Sequence, residues 1–152
     1  MKRLFTVLTL SILANFVHAE DLLHERFAKM IEQRYAAPFR AGQLDKWLEV
    51  FDDHAVALHN RRPADQGKAA IRKFGELVFS TFRAAKFSVT LTEARRNHDT
   101  VITHGTYASH LIFKETGESA PWGPEQGKFL FIWERQSDGI WLITVDMGNA
   151  SE

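Results

Sequence analysis

The sequence predicts an α+β fold in which three N-terminal helices pack on a curved antiparallel sheet of about five to six strands. Three observations carry that prediction. Apolar residues fall at helical spacing up to Phe82, with one short strand interposed. From Lys86 onward the apolar segments read as strands separated by Gly, Pro, Asn and Asp. Helices and strands are grouped rather than alternating, which excludes a βαβ series.

Over residues 21–41, Leu23, Phe27, Met30, Ile31 and Tyr35 fall on one helical face. Pro38 has no N–H to offer the Arg34 carbonyl, so a kink or an early stop is expected there. Gly42 marks the break. Leu44, Trp47, Leu48 and Phe51 give a second, short helix. Residues 54–59 alternate as a first strand, with Ala55, Ala57 and His59 on one face and Val56 and Leu58 on the other. Residues 61–67 hold Pro, Asp and Gly and read as a loop. Residues 68–82 return to helical spacing through Ile71, Phe74, Leu77, Val78 and Phe82. Strands follow at 86–94, 100–113, 128–135 and 140–147, the last two joined by Ser137, Asp138 and Gly139 in a tight turn. Such a meander has to curl around the helices to bury its apolar face. The one long connection, 116–127, carries Pro121, Trp122, Gly123 and Pro124 and reads as a surface loop or a lid.

Residues 1–19 read as a signal peptide. Lys2 and Arg3 precede an apolar run from Leu4 to Val17, and Val17-His18-Ala19 offers small residues where a signal peptidase cuts. The run is shorter than the roughly 20 apolar residues of a membrane span. Residues 20–152 then form one domain. Cleavage takes Lys2 and Arg3, so 19 basic side chains become 17 against 19 acidic ones. No basic face follows, and neither nucleic acid nor, after cleavage, a membrane is an expected partner. Cysteine is absent, so the core rather than disulfides must stabilise a chain expected in the periplasm or secreted. Ten of the twelve Phe residues remain after cleavage and point to a core or pocket rich in rings.

Several segments resemble a known family. Gln33-Arg34-Tyr35, Ala41 to Asp45, Phe51-Asp52-Asp53 and Gly67 to Phe74 are similar to the opening of ketosteroid isomerase and SnoaL-like polyketide cyclase domains. Gly127-Lys128-Phe129, Trp133-Glu134-Arg135, Asp138 to Trp141 and Asp146 to Asn149 are similar to the closing hairpin of the same nuclear transport factor 2-like superfamily. The resemblance covers nearly all of residues 20–152 in order, and it implies the cystatin-like cone, a curved sheet wrapped around helices with one apolar pocket. It further implies that Tyr35 stands where the isomerases carry a tyrosine donor to the enolate oxygen, and His59 where they carry an aspartate base. Phe131 stands near the place of their second oxyanion donor, a protonated aspartate.

The residues support their own reading beside this. His59 shares its face with two alanines, which leaves space in front of an imidazole able to move a proton near neutrality. Tyr35 lies on the buried stripe of the first helix, as a core tyrosine or a pocket donor. Asp146 interrupts an apolar strand, on a face with Leu142 and Thr144 by simple alternation, and calls for a partner such as Arg135 or a place at a pocket mouth. His104 and His110 share a strand face about 20 Å apart at roughly 3.3 Å per residue, so they cannot hold one metal ion. Each is a candidate to line the pocket singly. Trp47 and Trp133 are candidates for the core or the pocket wall, Trp122 for capping the pocket or touching a second subunit. Arg61 and Arg62 stand where they could meet an acidic ligand group or simply form a solvated turn. No zinc or EF-hand spacing is present, so neither metal nor cofactor is expected.

The function expected is binding of an apolar, carbonyl-bearing small molecule in a central pocket, with isomerase- or cyclase-like proton transfer. The alternative is a non-catalytic ligand-binding or oligomerisation module. A homodimer is expected, with Val101, Tyr107, Leu111 and Phe113 as a candidate interface.

Overall fold

The computed structural model describes residues 20–60 and 62–151; the signal peptide read at 1–19 and Arg61 lie outside the described residues. Helix α1 covers residues 20–31, widens into a π-helical turn at Glu32–Ala36 and closes as an α-helical turn at Ala37–Arg40. Helix α2 is Leu44–Leu48 and α3 is Lys68–Thr81. The strands are β1 (Phe51–His59), β2 (Asp65–Gln66), β3 (Phe82–Asn97), β4 (Thr100–Phe113), β5 (Glu125–Arg135) and β6 (Trp141–Ser151). They form one six-stranded sheet in the order β2-β1-β6-β5-β4-β3.

The sheet is mixed where the sequence suggested an antiparallel one. All neighbouring pairs are antiparallel except β1 and β6, which run parallel with Ala57 opposite Asp146 and His59 opposite Gly148. The first strand is separated from the last by the whole chain between them, and it docks beside that strand in the same direction.

Pro38 neither ends α1 nor breaks it. The π turn ahead of it carries Ala37 N–H to the Glu32 carbonyl, so Pro38 enters the first turn of the closing segment, where a missing N–H costs little. Phe27, Ile31 and Tyr35 fall on the buried face. Arg34 clips the helix down by donating to the carbonyls of Trp141 (2.7 Å) and Glu49 (3.1 Å). Gly42, at φ 68°, reverses the chain after α1.

The helices cover the inner face of the sheet, and that layer has two parts. At one end Phe27 meets Trp133 and Trp141 edge-on, each with ring centroids 5.4 Å apart, and the space is solid. The Trp133 indole N–H donates to the Thr103 hydroxyl at 2.9 Å, both side chains fully buried. Thr103→Val removes that acceptor without changing shape much and is expected to cost about 1–2 kcal/mol in a denaturant melt, the usual penalty for a stranded buried donor. At the other end the layer opens into a cavity.

Two expectations are corrected here. Val101, Tyr107 and Leu111 face inward, against the core and the cavity, and Phe113 stacks on Phe82 at 4.7 Å; this face cannot be a subunit interface. The outward alternation of β4 instead presents Ile102, 41 % exposed, with His104 and Thr106. The last strand also breaks its alternation. Ile132 pairs with Val145 and Trp133 with Ile143, so Thr144 is an extra residue in a β-bulge. Past the bulge the phase inverts, and Asp146 joins Trp141 and Ile143 on the inner face instead of Leu142 and Thr144.

Candidate functional site

The cavity measures ≈ 410 Å³ and lies between α1, α2, α3 and the inner face of β3 to β6. Its wall is mostly aromatic, including Phe39, Phe74, Phe79, Phe87, Phe129 and Phe131. Such a wall suits the apolar body of a small molecule. The space exists partly because side chains are missing: Gly148 on β6 lines it, and a Cβ there would come no nearer than 4.0 Å to the Tyr107 ring.

Three polar side chains from three elements meet in this wall. Asp146 projects from β6 at 2 % exposure. The Tyr35 hydroxyl, carried by the π turn of α1, donates to Asp146 Oδ2 at 3.0 Å. His59, at the end of β1, places Nε2 3.5 Å from the same oxygen. The parallel pairing of β1 and β6 sets that distance, since His59 lies two residues along β1 from Ala57, Asp146's own partner, and so on the same face. His59 Nδ1 is buried without a partner.

Electrostatics follow from the geometry. Burial pushes the His59 pKa down, but the hydrogen bond and charge of Asp146 outweigh it, leaving the imidazole above its ordinary 6.5. Burial, and then the Asp146 charge, hold the Tyr35 phenol well above its ordinary 10.0, so it stays protonated. Tyr35 has a single hydroxyl proton, and it goes to Asp146. The resemblance implied that this proton would meet a ligand oxygen; here it orients the carboxylate. Asp146 takes Tyr35 and His59 as partners, and Arg135 lies instead beside Asp99 at 3.9 Å.

The remaining expected residues divide. Trp47 and Trp122 line the cavity. Trp47 does so while packed in the core, its Nε1 buried without a partner. Trp122 sits at the rim, edge-on to Phe82 at 5.4 Å and 45 % exposed. Arg62 also lines the cavity, stacked over Phe74 at 3.8 Å and paired with Asp65 at 2.8 Å. His104, His110 and Trp133 do not reach it. His104 lies on the outer face beside Glu93 (3.0 Å), and His110 bonds the Ser119 hydroxyl (2.8 Å). Trp133 is sealed in the solid end of the layer, its indole N–H given to Thr103. Alternation puts both histidines on the face opposite Thr103, and the helices cover the Thr103 face.

Tyr107 is among the cavity residues that sequence reasoning missed. Tyr107 stands on the inner face of β4, and burial followed by the nearby Glu125 charge raises its phenol to about 12. The available signal was glycine on the neighbouring strand, since Gly127 pairs directly with Tyr107 and makes room for the ring.

The family described as the SnoaL-like domain matches residues 32–143. No curated protein matches the chain. Among solved structures, a ketosteroid isomerase-like protein from Erwinia carotovora atroseptica is similar at 17 % identity and a TM-score of 0.71, covering 82 % of this chain and 94 % of its own. A nuclear transport factor 2-like superfamily protein from Salmonella enterica serovar Typhimurium aligns at 13 % identity and TM-score 0.70, over 87 % and 93 %. A conserved protein from Planctomyces limnophilus aligns at 16 % identity and TM-score 0.71, over 84 % and 98 %. At these identities the likeness is one of fold.

Proposed function

The chain belongs to the SnoaL-like domain family, and on that premise we propose that its cavity takes an apolar small molecule bearing a carbonyl and moves a proton at the carbon beside it. The observation that carries this reading is one buried carboxylate, held between a phenol and an imidazole in the wall of a largely apolar cavity. A carboxylate in that setting is costly unless paired, and clusters of this kind are where acid–base chemistry is found.

In the proposed step, neutral His59 takes a proton from the carbon next to the carbonyl. The electron pair moves onto the carbonyl oxygen as an enolate, and Asp146 stabilises the imidazolium that forms. Return of the proton to another carbon gives an isomerisation; attack of the enolate carbon on a second carbonyl, with the imidazolium giving its proton to the alkoxide that forms, gives an aldol-type ring closure. Tyr35 keeps the carboxylate in position throughout. Since His59 must be neutral to act, the rate rises with pH through a midpoint above 6.5.

The test uses 2-acetylnaphthalene in deuterated buffer, with loss of its methyl protons followed by NMR. The protein is expected to accelerate exchange, and His59→Gln to slow it by about a hundredfold, a typical contribution of a positioned base. Ketone that binds but exchanges no faster than in buffer would make the cavity a carrier and retire the catalytic step.

A further inference from the structure

We infer that Tyr107 is the hydrogen-bond donor that holds the ligand's carbonyl oxygen, an inference that rests on the pocket reading above. The enolate step needs a donor at the oxygen. Tyr35, the residue the resemblance pointed to, has given its proton to Asp146. Tyr107 is the other phenol in the cavity wall, and its hydroxyl has no hydrogen-bond partner among the described residues.

Its placement fits the task. The ring lies over Gly127, where a Cβ would run into its carbons, and reaches toward Gly148. Gly148 is the cross-strand neighbour of His59. Tyr107 and His59 therefore flank one glycine on the inner face, with open space above it. A carbonyl whose oxygen meets Tyr107 has its neighbouring carbon within that space, on the side of His59. The phenol, raised to about 12, keeps its proton at neutral pH and donates. Ser109 and Glu125, a cross-strand pair, line the cavity as well, and the Glu125 charge helps keep the phenol protonated.

The ligand class narrows accordingly, to molecules whose carbonyl or similar acceptor oxygen sits at the edge of an aromatic or alicyclic body. Two probes separate this from simple burial: 2-acetylnaphthalene and 2-isopropenylnaphthalene, which has the same outline with a methylene in place of the oxygen. The wild-type chain is expected to prefer the ketone by about tenfold, the yield of one hydrogen bond made in an apolar pocket. Tyr107→Phe is expected to erase that preference while changing affinity for the hydrocarbon by less than about twofold. Tyr35→Phe is expected to leave the preference in place. Circular dichroism melts confirm that each variant is folded, and Tyr107→Phe removes only an unpartnered hydroxyl. A preference that survives Tyr107→Phe, or disappears with Tyr35→Phe, overturns this inference and leaves the pocket reading standing. Equal binding of both probes by the wild-type chain does the same. If neither probe binds, the inference and the pocket reading fall together.

Discussion

Replacing Asp146 by asparagine is expected to slow isotope exchange by about a thousandfold and to reverse the response of stability to pH around neutrality. Asparagine keeps an oxygen to accept the Tyr35 proton, so the local shape survives. What is lost is the charge that holds the His59 imidazole above 6.5. In the unaltered chain, a raised folded pKa means that the pairing stabilises fully below about pH 6.5 and is lost as pH climbs through the folded value. In the variant, burial acts against protonation with only a weaker contribution from Asp65 opposing it, and Arg62 adding to it. The folded pKa then drops below 6.5. Stability is complete above that pH and drains as pH falls beneath it. Thermal melts of both proteins from about pH 5.5 to 8 read the difference directly. Parallel curves would show that the carboxylate does not govern this histidine. In the unaltered protein the same titration has opposite effects on two properties, since deprotonating His59 supplies the base and removes the ion pair.

Gly105→Ala is expected to destabilise the fold by about 3 kcal/mol, at the upper end of the usual overpacking cost. On β4, Gly105 lies beneath a register shift in β3 between Leu91 and Glu93. A Cβ at Gly105 would collide with the Thr90 carbonyl oxygen and lie 2.9 Å from the Thr92 nitrogen and 2.8 Å from the Phe129 ring. Two of those three neighbours are backbone and cannot swing away. Gly148→Ala is the control, because its Cβ has nothing nearer than 4.0 Å and should leave the melt nearly unchanged. Equal melts for the two variants would refute the steric argument.

Much of this architecture was legible in the sequence because local signals agreed with the fold. The stripe of Phe27, Ile31 and Tyr35 is the buried face of α1, and Ala55, Ala57 and His59 share a face as alternation required. Legibility failed where geometry departs from ideal periods. The extra residue Thr144 inverts the phase of β6, so Asp146 was assigned to the wrong neighbours. Helix α3 turns its buried side to Ile71, Gly75 and Phe79, leaving Leu77 64 % exposed, because α2 packs so closely on Gly75 that a Cβ there would sit 2.6 Å from Leu44. A glycine at a helix contact carries no hydropathy signal. The three polar groups of the site come from residues 35, 59 and 146, and only the sheet order brings them together. Tyr107 was read onto an interface because alternation gives two faces without saying which one the helices cover.

The solid end formed by Phe27, Trp133 and Trp141 has a practical consequence for how this protein can change. The plug lines no part of the hollow, whose own walls are also packed ring on ring, Phe39 against Phe79 and Phe87 and Tyr35 against Phe131. Single steps that reshape what fits there without loosening the fold are therefore those at open points of the lining such as Gly148, where an added Cβ meets nothing nearer than 4.0 Å.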